Sequence, residues 1–176
     1  MSAIESSPTI TDQSFLPYLD ESGDIAPELA GKIGVYGIFD ADRNLQYVGI
    51  SRDIATSLRL HLVRVPDRCH WLKVATVDKP SRTLLREIQT SWQGDLELAE
   101  EDRQLWEQPL DCKKLMTEAE QEQLSNTILD IEIERILKNV ARRVEKEIMA
   151  KIEARGAKFA IRFNPKRKAE GILDIK

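Results

Sequence analysis

The sequence predicts an α/β domain: a small, mainly antiparallel three-stranded sheet flanked by helices, with a long helical addition toward the C-terminus. Three observations lead there. Two apolar, β-rich runs carry Gly34-Val35-Tyr36 and Tyr47-Val48-Gly49, and five polar or small residues, 40–44, join them as a hairpin turn would. A third β-rich run, 71–77, alternates loosely. Helical periodicity then dominates from 117 to 155.

Taken in order, residues 1–30 form an acidic leader. Glu5, Asp12, Asp20, Glu21, Asp24 and Glu28 stand there with no Lys or Arg. Phe15, Leu16, Tyr18 and Leu19 make one apolar island able to dock, and mobility is expected elsewhere. The core follows over 31–93. After the hairpin, whose Asp and Asn suit a self-bonding turn, Ser51 or Asp53 can cap a helix from Ile54 to about Val65, which Pro66 ends. The run Asp78-Lys79-Pro80-Ser81 breaks the third strand. Ser81 then caps a helix with Leu84, Leu85, Ile88 and Trp92 on one stripe, and Gly94 stops it. Glu87 lies on the flank of that stripe, where it can point into a cleft.

Residues 94–115 read as an acidic insertion, a short helix covering the domain's flank. The segment 116–176 reads as a long helix or helix pair plus a basic strand and loop. Thr117 and Glu120 form a capping box, and Gly156 is the stop. One helix over that span would run roughly 58 Å, so Ser125-Asn126-Thr127 is the expected division. Ile136, Val140, Val144, Ile148 and Ile152 climb by fours as a packing ridge. Burial against the sheet and a homodimer seam both fit it, as does contact with the Phe15–Leu19 island. Phe159, Ile161 and Phe163 alternate as a strand would, 164–168 is a basic loop, and 172–175 suits a last short strand.

Net charge is −4 over 176 residues. The acidic leader aside, 26 basic residues face 24 acidic ones, and the basic end from Lys138 onward can meet phosphates or simply form a solvated helix face. Lys166, Arg167 and Lys168 are its candidate substrate contacts. No run reaches the ~18–20 apolar residues of a membrane helix, so no membrane partner is expected. An acidic leader argues against secretion and organellar import. Two cysteines fit a reducing, cytoplasmic setting, and with His61 and His70 they show no usual zinc spacing.

The stretch 32–92 resembles the GIY-YIG nuclease family. Gly34-Val35-Tyr36, the short hairpin, Tyr47-Val48-Gly49 and a capped helix carrying His61 make the match. The resemblance implies a metal-dependent endonuclease acting on DNA or RNA. Tyr36 would act on the nucleophilic water, Tyr47 and His61 would assist, and Glu87 would hold one Mg²⁺ or Mn²⁺. Ser57 stands where the family has a phosphate-binding Arg. Arg59 points away from that face, and Arg64, two turns on along it, is the candidate substitute. The alternative is a catalytically silent fold of this kind, used to bind nucleic acid or protein.

Overall fold

Leu16–Pro17 (β1), Gly34–Phe39 (β2), Leu45–Ser51 (β3) and Trp71–Thr76 (β4) form a four-stranded sheet in the order β1-β4-β2-β3, antiparallel at every pairing. The structure is a computed structural model and describes residues 7–79 and 81–176. Glu5 of the leader and Pro80 of the expected break lie outside the described residues. The predicted hairpin is there. Asp40 accepts from the backbone N–H groups of Asp42 and Asn44, and Arg43 takes a positive φ of 64°.

The fourth strand comes from the leader's apolar island, the part of the leader expected to be able to dock. β1 lies on the sheet's edge, where Pro17 needs no N–H donor. Just beyond it, Tyr18 is buried and its hydroxyl donates to the carbonyl of Leu58. Ile25 and Leu29 join the same core. Two residues of strand are too short to show a period, so the sequence displayed only an apolar island.

Successive side chains of a strand point to opposite faces, and two helices cover the two faces. Ile54–Arg64 (α1) packs on Tyr36, Ile38, Tyr47 and Leu72. Arg82–Gln93 (α2) packs Leu85, Ile88 and Trp92 on Val35, Val48 and Ala75. Asp53 caps α1, accepting from Thr56 N–H, and Ser81 caps α2, accepting from Leu84 N–H. Gly94 closes α2 with φ 51°. The insertion supplies Glu100–Glu107 (α3) and Leu110–Asp111 (β5).

The C-terminal part divides near the expected place, into Glu118–Ser125 (α4) and Asp130–Ala154 (α5). The capping box of Thr117 and Glu120 is formed. All five residues of the ridge are buried within the chain, against Val63, Leu110, Cys112, Phe163 and Leu173. Neither the main sheet, the Phe15–Leu19 island nor a second copy is needed to cover it. The covering layer is a second, two-stranded sheet of β5 with Ile172–Leu173 (β6). The expected strand over 159–163 is not paired; Phe163 makes a single bridge to Ile175. Residues 159, 161 and 163 are nevertheless less exposed than their neighbours, so the alternation reported facing and not pairing. The basic loop 164–168 is a short helix, Pro165–Lys168 (α6), with Asn164 accepting from Lys166 N–H.

The docked leader has a measurable consequence. Tyr18→Ala removes a buried ring and should lower unfolding free energy by about 3–5 kcal/mol, read as a lower urea midpoint with an unchanged slope. An unchanged midpoint would mean that the leader does not pack in solution.

Candidate functional site

The hairpin and α1 place three aromatic rings together. Tyr36 on β2, Tyr47 on β3 and His61 on α1 share one sheet face, with ring centroids 5.1–6.4 Å apart. Gly49 makes this possible. A Cβ there would collide with the hydroxyl and ring of Tyr36, so the glycine lets Tyr36 lie across the neighbouring strand. The Tyr36 hydroxyl and His61 Nε2 are 2.6 Å apart. With the phenol as donor, the imidazole carries its own proton on Nδ1, which has no hydrogen-bond partner among the described residues. Ser57 lies on the same helix face and bonds Ser51 Oγ at 2.6 Å.

A fourth ring closes the cluster, from the insertion whose helix was expected to cover the domain's flank. Trp106, on α3, has 0% of its surface exposed. It stacks on Tyr47 with centroids 5.3 Å apart and planes 12° apart, and meets His61 edge-on. The acids of the insertion hold it there. Asp102 pairs with Arg68, whose guanidinium lies 5.1 Å from the Trp106 ring centre. Glu107 accepts from the Tyr47 hydroxyl at 3.2 Å. Arg64, the candidate phosphate clamp, donates to the Trp106 carbonyl at 2.9 Å. The only sequence signal for this was an aromatic residue inside an acidic run, and nothing in that run says which surface it meets.

Burial sets the electrostatics. It raises both Tyr36 and Tyr47 well above the usual phenol, and at Tyr47 the Glu107 carboxylate adds to the rise. Burial drives His61 the other way, to about 3; Arg64's charge adds to the fall, and the Trp106 carbonyl opposes it weakly. That carbonyl accepts from Arg64 and makes no hydrogen bond with Nδ1. Near neutral pH all three groups are uncharged. A general base works best with a pKa near the operating pH, and none of the three meets that condition here.

The other expected site residues are elsewhere. Glu87 is exposed on α2, the helix on the opposite face of the sheet from Tyr36, Tyr47 and His61. Its flank position gave the right degree of exposure but could not say which sheet face the helix covers. The resemblance implies one carboxylate for Mg²⁺ or Mn²⁺, and from the opposite sheet face Glu87 cannot hold such an ion beside Tyr36 and Tyr47; among the described residues no three His, Cys, Asp or Glu side chains converge as metal ligands either. Arg167 pairs with Glu170 and Asp174, and Lys168 pairs with Glu145 at 2.6 Å. Lys166 is exposed and has no ion pair among the described residues. A cleft of about 320 Å³ does reach Tyr47, but Glu97 and Glu107 line it against Arg103 alone, a poor approach for a phosphate.

No family model matches the chain. Over 84 residues, 48% of its length, it is 35% identical to bifunctional monothiol glutaredoxin-S16, chloroplastic, of Arabidopsis thaliana. The match takes in 27% of that protein, so this chain spans about a quarter of the relative and the similarity is distant and partial. Thiol chemistry finds no ready site here. Cys69 and Cys112 are both buried, and burial pushes each thiol up to about 12, the reverse of an exposed, low-pKa redox cysteine.

Burial also fixes the pH dependence of stability. Unfolded, His61 takes its proton near 6.5; folded, near 3. Between those values the unfolded chain binds the extra proton, so stability should fall as pH drops from 6.5, by on the order of 1.4 kcal/mol per unit. His61→Gln should flatten the loss of urea midpoint between pH 7 and pH 5. Equal slopes for the two proteins would show that His61 titrates normally in the fold.

Proposed function

We propose that this chain is a GIY-YIG-like domain that does not cleave nucleic acid and serves as a binding module. The observation that carries the reading is Trp106, wholly buried on Tyr47 and His61. Phosphodiester hydrolysis needs room for a water and a phosphate, a group able to take a proton, and a cation to hold developing charge. Trp106 takes the room. Burial leaves Tyr36 and His61 neutral. Ser57 replaces the arginine of the resemblance, and Arg64 is engaged with Trp106. The carboxylate expected to hold a metal, Glu87, lies across the sheet.

A second reading is supported by the hydrogen-bonded Tyr36–His61 pair. It is a nuclease held shut by α3, which acts once α3 moves away. The two readings separate in one assay, with duplex, single-stranded and branched DNA and RNA in Mg²⁺ or Mn²⁺. The binding-module reading predicts no cleavage by the wild type, by Trp106→Ala, or by Trp106→Ala combined with Ser57→Arg. The shut-nuclease reading predicts that the double variant cuts, with a gain on the order of 10²–10³ from the restored guanidinium. Metal-dependent cleavage that Tyr36→Phe abolishes, in any of the three proteins, would overturn the binding-module reading.

A further inference from the structure

β3 is the edge of the sheet on the side away from the leader. Where β3 ends and α2 begins, a groove of about 640 Å³ opens between them. Ile33, Ile50 and Leu85 give it an aliphatic floor, and Arg52, Arg82 and Arg86 stand around it. All three arginines are exposed, and none has an ion pair or a side-chain hydrogen bond among the described residues. That sets them apart from Arg59, Arg68, Arg143 and Arg167, each of which is paired with a carboxylate. Among the described residues no acidic side chain lines the groove.

We propose that this groove binds a carboxylate-rich segment of a partner protein, with acidic side chains on the arginines and an aliphatic side chain on the floor. Charge complementarity argues for it, because a guanidinium with no partner can grip a carboxylate through two parallel hydrogen bonds. Arg82 and Arg86 are one turn apart on α2 and Arg52 follows β3, so the charges line two walls. A row of carboxylates suits that spread better than a single phosphate, which would need them to converge. Single-stranded nucleic acid is favoured by aromatic stacking platforms, and among the described residues no aromatic side chain lines this groove. Strand addition along β3 is limited because Gln89 Nε2 already donates to the Val48 carbonyl at 3.2 Å. The groove therefore takes side chains, as clusters of arginine do for acidic motifs.

The inference deepens the binding-module reading and rests on it, yet the two fail separately: cleavage sinks the first, and absence of charge-dependent peptide binding sinks this one. The test is fluorescence anisotropy of the full chain with a labelled peptide of mixed Glu and Leu, the same peptide with Gln for Glu, and a labelled single-stranded oligonucleotide. The acidic peptide should bind and weaken as salt rises. The Gln peptide, and the variant Arg82→Glu/Arg86→Glu with the acidic peptide, should each bind at least about tenfold more weakly. Arg82→Gln/Arg86→Gln gives the same reading should the charge reversal disturb folding. Three results would overturn the proposal: no peptide binding, peptide binding indifferent to both variants, or tighter oligonucleotide binding that the variants abolish.

Discussion

Trp106 lies flat on Tyr47, and the chemical state of the whole aromatic cluster depends on that contact. A ring wholly out of water excludes solvent from its neighbours as well. Tyr36 and His61 then meet as neutral partners, because charging either one would strand an ion in an apolar setting. The same side chains left open to water would titrate in their ordinary ranges. The difference between a working acid–base pair and an inert hydrogen bond thus rests on one residue from outside the hairpin and its helix.

The charges of the chain support the same arrangement. The insertion is acidic, yet Asp102 and Glu107 are engaged, by Arg68 and by the Tyr47 hydroxyl. Part of the basic C-terminal segment is likewise engaged. Arg143 pairs with Glu120 and Glu147, Lys151 with Asp67, and Arg155 reaches the carbonyls of Pro66 and Cys69. These bonds tie α5 to the loop that follows α1 and to α4. Partly exposed pairs of this kind each add little to stability. The Arg52, Arg82 and Arg86 groove differs in gathering its guanidinium groups around one aliphatic floor.

Much of this was legible in the sequence, for physical reasons that can be named. The hairpin, its self-bonding turn, both helix caps and the capping box are local features, and local chemistry fixes them. Tyr36, Tyr47 and His61 come together because strand period and helix register carry them to one face. Glu87 failed because helical phase gives exposure relative to a helix's own axis and says nothing about which sheet face the helix covers. The leader's island showed that it could dock but not that it would pair as a strand, because β1 has too few residues to show a pattern and rests on tertiary burial of Tyr18 and Ile25. Trp106 was invisible as a site residue for a related reason: its partners are 59 and 45 positions away and share no motif with it. Ridge residues of α5 showed their period plainly, and part of their cover is β6, expected as a last short strand; its partner β5 is too short to show a period.

Closure of the site can be measured by chemical footprinting of the two histidines. Neutral imidazole reacts with diethyl pyrocarbonate when reagent can reach it, and mass spectrometry separates peptides containing His61 from those containing His70. His61 is buried beneath Trp106, whereas His70 is partly exposed. The account predicts that in the native protein His70 is modified and His61 is protected, and that Trp106→Ala lets His61 react while the fold persists. Modification of His61 as fast as His70 in the wild-type protein would show that the aromatic cluster is open, and would contradict the account.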